Sequence, residues 1–428
     1  MLPQLRELEQ RYGDAIAVVG VHSGKYTAER VTERIRDASI RLDAAHPVLN
    51  DRQFRVWRAY AVRAWPTLVA VDPRGAVVGM HAGEFTADGV ASFVDRVLGQ
   101  ARASDALREE PMHLAPDAPT LAPDRLAFPG KVAVHGDRIA IADSGHHRVL
   151  VGHLEDRGRR MRIERIVGTG VPGLVDGDAP AFQYPQGLAF GDDALYVADT
   201  GNHAIRTISL ATGAVRTLAG SGAQLRSSRD RAAGALSSPW DLALAGDALH
   251  IAMAGVHQLW TLDLRSGIVS PFAGSGAEEL HDGAHAEAAL AQPMGLTLAG
   301  DMLLSADAES SAIREVDLSS SGGVRTIVGT GLFDFGDVDD VGDRARLQHP
   351  QGLAVADDGR VLVCDSYNDS LRWLDRTERR VSTWVRGLHE PGGIALALRG
   401  VYVADTNAHR ICVVDIDSAQ VRPLVIVE

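Results

Sequence analysis

Over residues 126–428 one short pattern recurs six times, and recurrence at a near-fixed period constrains the fold more than any single residue does. Each unit opens on a proline followed by a Gly-Leu-Ala run or a variant of it. A stretch such as Leu195-Tyr196-Val197-Ala198-Asp199 comes next, then a turn, then an Ile-Arg pair with an apolar stretch, and last a short strand ending in glycine. The anchoring prolines are Pro129, Pro185, Pro239, Pro293, Pro350 and Pro391, at spacings of 56, 54, 54, 57 and 41. Each unit offers four short strands separated by turn signals, and none holds a helix-length pattern. Six four-stranded units predict a six-bladed β-propeller.

The turns carry a resemblance. Asp199-Thr200-Gly201-Asn202-His203-Ala204-Ile205-Arg206 resembles the NHL repeat, as do Asp143-Ser144-Gly145-His146-His147-Arg148-Val149 and Asp405-Thr406-Asn407-Ala408-His409-Arg410-Ile411. The third copy departs most, with Met253 in place of the aspartate and Val256 in place of the asparagine. The fourth has Ser310-Ser311 where Asn-His would stand.

Residues 1–100 read differently. Leu5, Leu8 and Tyr12 share a helix face over 3–12. Ala15 to Val21 is a continuous apolar run suited to a buried parallel strand. Helices are expected over Thr27–Leu42, Asp51–Tyr60 and Thr86–Leu98, and a hairpin over Thr67–Val71 and Val77–His81. This is an α/β alternation. Trp65-Pro66-Thr67 followed by Val71-Asp72-Pro73-Arg74-Gly75 is similar to the second half of a thioredoxin-like domain of the TlpA type. The resemblance implies a cis proline at Pro66 facing an active site. The dithiol chemistry of that family needs Cys-x-x-Cys with its thiolate at a helix N-terminus. No cysteine precedes Cys364 in the sequence, and the strand expected before the first helix is missing, so the domain reads as truncated and unable to exchange dithiols. Two expectations stay open: the chemistry is lost, or the true start lies upstream of Met1 and supplies the cysteines.

Residues 101–125, with Pro111, Pro116, Pro119 and Pro123, read as an extended linker. The net charge is −13, while residues 1–100 hold 13 Lys+Arg and 12 Asp+Glu, so the acidity lies in the repeats. Such a surface disfavours nucleic acid and anionic lipid. No apolar run is long enough to span a membrane, and the start lacks a signal-peptide pattern, so the chain is read as cytoplasmic. Cys364 and Cys412 are expected to be buried and inert.

The recurrent Asp143, Asp199, Asp307, Asp365 and Asp405 invite a metal or catalytic reading. A structural one fits better: a short acid opening a tight turn bonds amides one or two residues on, or pairs with Arg206, Arg314 or Arg372. His147, His203, His257 and His409 are equivalent positions, but equivalent atoms of packed sheets sit roughly 10 Å apart, far beyond zinc–nitrogen distances of about 2 Å. No cofactor and no metal site is therefore assigned. Four inter-blade connections are long: 168–184, 220–238, 274–292 and 329–349. In an antiparallel meander they emerge on the same face as the Asp-x-x-Asn-His turns. They either fill space between blades or bind. On the binding reading the candidate face comprises Gln186, Trp240, Met294 and Gln351, each just after an anchoring proline, with Asp176 and Asp282 in the loops. Trp65, Pro66 and Thr67 form the thioredoxin-like candidate loop. The expected function is a non-catalytic binding or scaffold protein with a protein or peptide partner. The alternatives are a thiol–disulfide oxidoreductase, if upstream cysteines exist, and a metal-dependent propeller hydrolase or lyase.

Overall fold

The computed structural model describes residues 2–83, 85–107, 110, 122, 125–226, 228–397 and 400–428. It divides into two compact units, Met1–Thr120 and Leu121–Glu428. Most of the expected linker, residues 108, 109, 111–121, 123 and 124, lies outside the described residues.

In the first unit the helix Leu2–Tyr12 buries Leu5 and Leu8 against Phe85 and Ala87. The strand expected over 15–21 is only Gly20–His22, paired in parallel with Val48–Asn50. Ala15–Val19 has no ladder partner, and an apolar run becomes strand only where a neighbour takes its hydrogen bonds. The helix expected from Thr27 is broken: a 3₁₀ turn at Ala28–Arg30 is followed by extended Val31, and the α-helix runs Thr32–Arg41. The next helix starts at Arg55 rather than Asp51, because Phe54 before it is left-handed at φ 55° and Asp51 receives the first amides of the helix from outside it. The Asp51 carboxylate accepts from the amides of Arg55, Val56 and Trp57 at 2.7, 3.2 and 2.9 Å and from the Ser23 hydroxyl at 3.0 Å. Burial opposes its charge, but these donors hold its carboxyl below the usual value. The hairpin Thr67–Val71/Val77–Ala82 forms as expected. The closing helix runs Ala87–Ala103, with the Thr86 hydroxyl accepting from the Gly89 amide at 3.0 Å.

The second unit is a six-bladed β-propeller. The second strands of the blades are Arg138–Asp143, Ala194–Asp199, Ala248–Met253, Met302–Asp307, Val361–Asp365 and Gly400–Asp405. The first strands of successive blades are neighbours and line the channel. Two blades exceed four strands: Gly283–Ala284 edges the fourth, and the C-terminal Val425–Val427 pairs in parallel with Arg160–Arg162 of the first. The core is not one body but a ring of six inter-blade layers. Val197 and Ile208 pack on Ala142 and Val151 between blades 1 and 2. Tyr402, Ala404 and Ile411 pack on Ile139, Ile141 and Leu150 between blades 6 and 1. The same apolar contact therefore closes the ring and builds it.

Candidate functional site

The turn between the second and third strands is built alike in every blade. The five aspartates are fully buried. Each accepts, through one oxygen, an amide far upstream: Asp143 from Ala127 at 2.6 Å, Asp199 from Gln183 and Asp307 from Ala291 at 2.7 Å, Asp365 from Gln348 at 2.7 Å and Asp405 from His389 at 2.5 Å. This corrects the expectation of a bond one or two residues on. The acid ties the entry of its blade to the turn. The second oxygen meets an arginine. In blades 2, 4 and 5 that is Arg206, Arg314 or Arg372 on the third strand, fully buried, at 2.7, 3.4 and 3.2 Å. In blades 1 and 6 it is Arg148 or Arg410, two positions earlier, at 2.7 and 2.8 Å.

The buried arginines reach on into the long loops. Arg206 donates to Asp176 at 2.7 Å and Arg314 to Asp282 at 3.0 Å. Asp176 also accepts from the Thr217 amide and hydroxyl, and Asp282 likewise from Thr326. In blade 5 Asp337 and Asp339 take this place on Arg372. Both candidate loop acids are thus engaged by their own blade, and their bonds fix the loops to the third and fourth strands.

The histidines staple blade to blade. His147 Nδ1 accepts the Tyr184 amide at 3.2 Å, His203 the Ser238 amide at 3.0 Å, His257 the Gln292 amide at 3.2 Å and His409 the Phe128 amide at 3.2 Å. Ser311 Oγ accepts from His349 at 3.2 Å, and Asp369 Oδ1 from Glu390 at 3.0 Å. All six blade junctions are spanned, the last to the first included. Each of these residues sits at positive φ, 49 to 55°, which aims its side chain at the next blade. An imidazole accepting at Nδ1 carries its proton on Nε2. Burial, with Arg226 adding to it, pushes His203 down to about 4.

Of the residues that follow the anchoring prolines, Trp240 and Met294 are brought into one apolar cluster. Trp240 and Met294 stand in β-bulges, since Pro239 pairs with Met253 but Asp241 with Ala252, and Pro293 with Asp307 but Gly295 with Ala306. A bulge re-aims the residue it carries. Gln186 lies over Gly130, where a Cβ would meet its Oε1 at 1.9 Å. Gln351 approaches Gly392 and His349. Met294 is buried with Ala254 and Ala308, and Trp240 packs half-buried on that group. Elsewhere a hydroxyl spans this level: Thr200 to Pro239 O at 2.6 Å, Ser366 to Pro391 O at 2.7 Å and Thr406 to Pro129 O at 2.9 Å. Ala254 and Ala308 replace the hydroxyls, so blades 3 to 5 present the apolar side of the mouth.

One position further on, the sequence reading passed over a buried ion pair. The equivalent residues are Lys131, Gly187, Asp241, Gly295, Gly352 and Gly393. Lys131 Nζ crosses the channel to Asp241 Oδ2 at 3.1 Å, to Met294 O at 3.0 Å and to Gln351 O. Asp241 also accepts the Leu242 and Leu296 amides at 2.9 and 3.0 Å. Burial pushes its carboxyl up from the ordinary value, with Lys131 and the two amides opposing. A signal was present: the chain holds only two lysines, and one stands where four blades keep glycine.

In the first unit the Trp65-Pro66 bond is cis. Trp65 Nε1 donates to Ser23 O at 2.8 Å, and its ring lies tilted by 40° against Trp57 with centroids 4.5 Å apart. Thr67 Oγ1 donates to Ala64 O at 2.7 Å. Cys364 and Cys412 are free and buried, and burial pushes both thiols up to about 12. Among the described residues no helix is long and apolar enough to cross a membrane.

Six blades with these turns, behind an α/β unit with a cis proline loop, define an NHL-type β-propeller protein with a thioredoxin-like amino-terminal part. The NHL repeat family matches residues 182–208 and 347–374. NHL repeat-containing protein 2 of Gallus gallus is 36% identical over 474 residues, covering 98% of this chain and 64% of that protein. Protein SUPPRESSOR OF QUENCHING 1, chloroplastic, of Arabidopsis thaliana is 37% identical over 459 residues, covering 98% of this chain and 43% of that protein. Thioredoxin-like protein YneN of Bacillus subtilis is 28% identical over 85 residues, 20% of this chain and 48% of that protein. The chain carries NHL repeats and is similar over nearly its whole length to NHL repeat-containing proteins, and it spans 64% of the chicken relative's length.

Proposed function

We propose that this chain is a non-catalytic binding protein whose propeller captures a protein or peptide on the long-loop face. The observation that carries the reading is Trp240. A bulge holds it half-buried on Ala254, Met294 and Ala308, with its indole Nε1 enclosed and without a hydrogen-bond partner among the described residues. A tryptophan with an unused donor beside an apolar patch at a channel mouth suits an interface anchor. Gln186 and Gln351 flank the mouth with amides that a peptide backbone can pair with. Asp176 and Asp282 serve the same surface indirectly, by holding its loops to the blades.

The thioredoxin-like unit is assigned to binding as well. Dithiol exchange needs paired cysteines, and the sequence before Cys364 has none. Reduction of a disulfide substrate by purified chain carrying Cys364→Ser and Cys412→Ser would overturn that assignment.

The test of the face is Trp240→Ala beside Gln186→Ala/Gln351→Ala, read by cross-linking and affinity capture. Both variants should lose the captured partner. Because Trp240 is half-buried, its truncation should cost about half of the 3–5 kcal/mol typical of a core aromatic. Capture unchanged in both variants would end the reading.

A further inference from the structure

Where the propeller closes, a second site takes shape. A cavity of about 720 Å³ opens between the turn Asp156–Arg159 of blade 1 and the outer hairpin of blade 6, beside the closing strand Val425–Val427. Turns between third and fourth strands emerge opposite the long-loop face, so this cavity is separate from the candidate face. Arg157, Arg159, Arg160 and Arg422 line it, against the two carboxylates of Asp156 and Asp415. In a chain of net charge −13 this is a local reversal of sign. Two of the nearby acids, Asp415 and Glu155, are already engaged. Asp415 Oδ1 accepts from the amide and hydroxyl of Ser418 at 2.9 and 2.7 Å. Glu155, opposite Arg160 in the strand register, is paired with Arg162 at 2.7 Å.

The turn that presents the arginines is fixed from two sides. Asp156, Arg157 and Gly158 all sit at positive φ, 45, 56 and 83°. Such a run needs outside support. The buried Tyr402 hydroxyl of blade 6 donates to Gly158 O at 2.9 Å, and the Val425 amide donates to Arg159 O at 3.1 Å. Val413, Pro423 and Val425 give the cavity an apolar wall. Its volume falls in the range of roughly 300–1,000 Å³ typical of small-molecule sites.

We propose that this seam cavity binds a small polyanion with an apolar portion, a phosphorylated or polycarboxylated compound. The guanidinium forks take its oxygens in pairs, as their planar geometry favours. Because the cavity is walled by blade 1, blade 6 and the closing strand, such a ligand also clamps the ring shut.

The test is titration calorimetry of the full chain with pyrophosphate and, separately, citrate, each at low salt. One saturable site for at least one probe is expected, and which probe binds more tightly tells phosphate from carboxylate as the source. The triple variant Arg157→Gln/Arg160→Gln/Arg422→Gln should weaken binding at least tenfold. Arg265→Gln, an exposed arginine paired with Asp247 on blade 3, should leave it unchanged. Circular dichroism on each variant keeps loss of binding distinct from loss of fold. Failure of both probes to saturate, equal weakening by Arg265→Gln, or binding of hexaglutamate but of neither small anion would each overturn the proposal.

Discussion

Blades 2 and 3 build the same turn from opposite chemistry. In blade 2 Asp199 takes the Gln183 amide and the fully buried Arg206 guanidinium. In blade 3 Met253 stands for the aspartate and accepts the Ser237 amide through sulfur at 3.4 Å. Trp260 stands for the arginine, buried, with its Nε1 on Gln258 Oε1 at 3.0 Å and Arg231 stacked over its ring. The loops follow suit. The loop before blade 2 brings Asp176 to the arginine, whereas the loop before blade 3 holds the short helix Ser228–Ala232. Yet the backbones coincide: φ/ψ is −86/74° at Asp199 and −93/76° at Met253, 49/45° at His203 and 55/40° at His257. The turn's shape therefore comes from its backbone and its staple to the next blade. The buried ion pair satisfies an amide and holds a loop, and a well-packed apolar pair can replace it, as the cost of desolvating two charges leads one to expect.

The comparison can be broken at its strongest point by Arg206→Ala. That change leaves Asp199 and Asp176 without their cation and should cost about 3–5 kcal/mol, read from urea unfolding. The double exchange Asp199→Met/Arg206→Trp, which gives blade 2 the residues of blade 3, should lose less than half as much. If it loses more than the single variant, the two chemistries are not interchangeable. The reverse change, Met253→Asp, buries a carboxylate with no guanidinium and should cost about 3 kcal/mol, part of which Trp260→Arg in the same chain restores.

A smaller effect tests how closely the two blades meet at the channel. A Cβ on Gly187 would lie 2.5 Å from the Asp241 Cα, so Gly187→Ala should lower stability by about 1–3 kcal/mol. Thermal unfolding within error of the parent would show that the inner strands can part.

The staple gives the smallest effect at pH 7 and a distinctive one below it. Neutral His203 accepts the Ser238 amide, and its folded value is held down near 4, below the 6.5 of an unconstrained imidazole. A group depressed in the folded state stabilises above its unfolded value and loses that contribution as pH falls through the folded one. Stability should therefore drop between pH 6.5 and 4. Blade 5 uses Asp369 at this position, so His203→Asp should cost about 1 kcal/mol at pH 7, one hydrogen bond's worth, and reduce the slope below it. A slope equal to the parent's would remove His203 from the acid response.

The blades were legible because their signals are local. An opening proline, a short apolar strand and a turn that opens on aspartate are each written within a few positions, and they recur. The third blade's departures at Met253 and Val256 were visible too, and in blade 2 the residues at those two positions, Asp199 and Asn202, bond each other. What the first unit shows is the limit of the same method. Ala15–Val19 has a strand's composition but no neighbour, while Val48–Asn50, too short to be noticed, has one.

Six blades, the acids at five of their turns and the pairing of three of those acids with Arg206, Arg314 or Arg372 could be read along the chain. What those residues hold depends on how the blades pack. Lys131 and Asp241 are separated by two blades in the chain and meet across the channel. His409 reaches the Phe128 amide, Tyr402 the Gly158 carbonyl, and the last strand joins the first blade. A repeat specifies its own unit through short-range periodicity, but closing a ring pairs residues whose separation along the chain carries no pattern, so each closing contact depends on the geometry of all six blades at once.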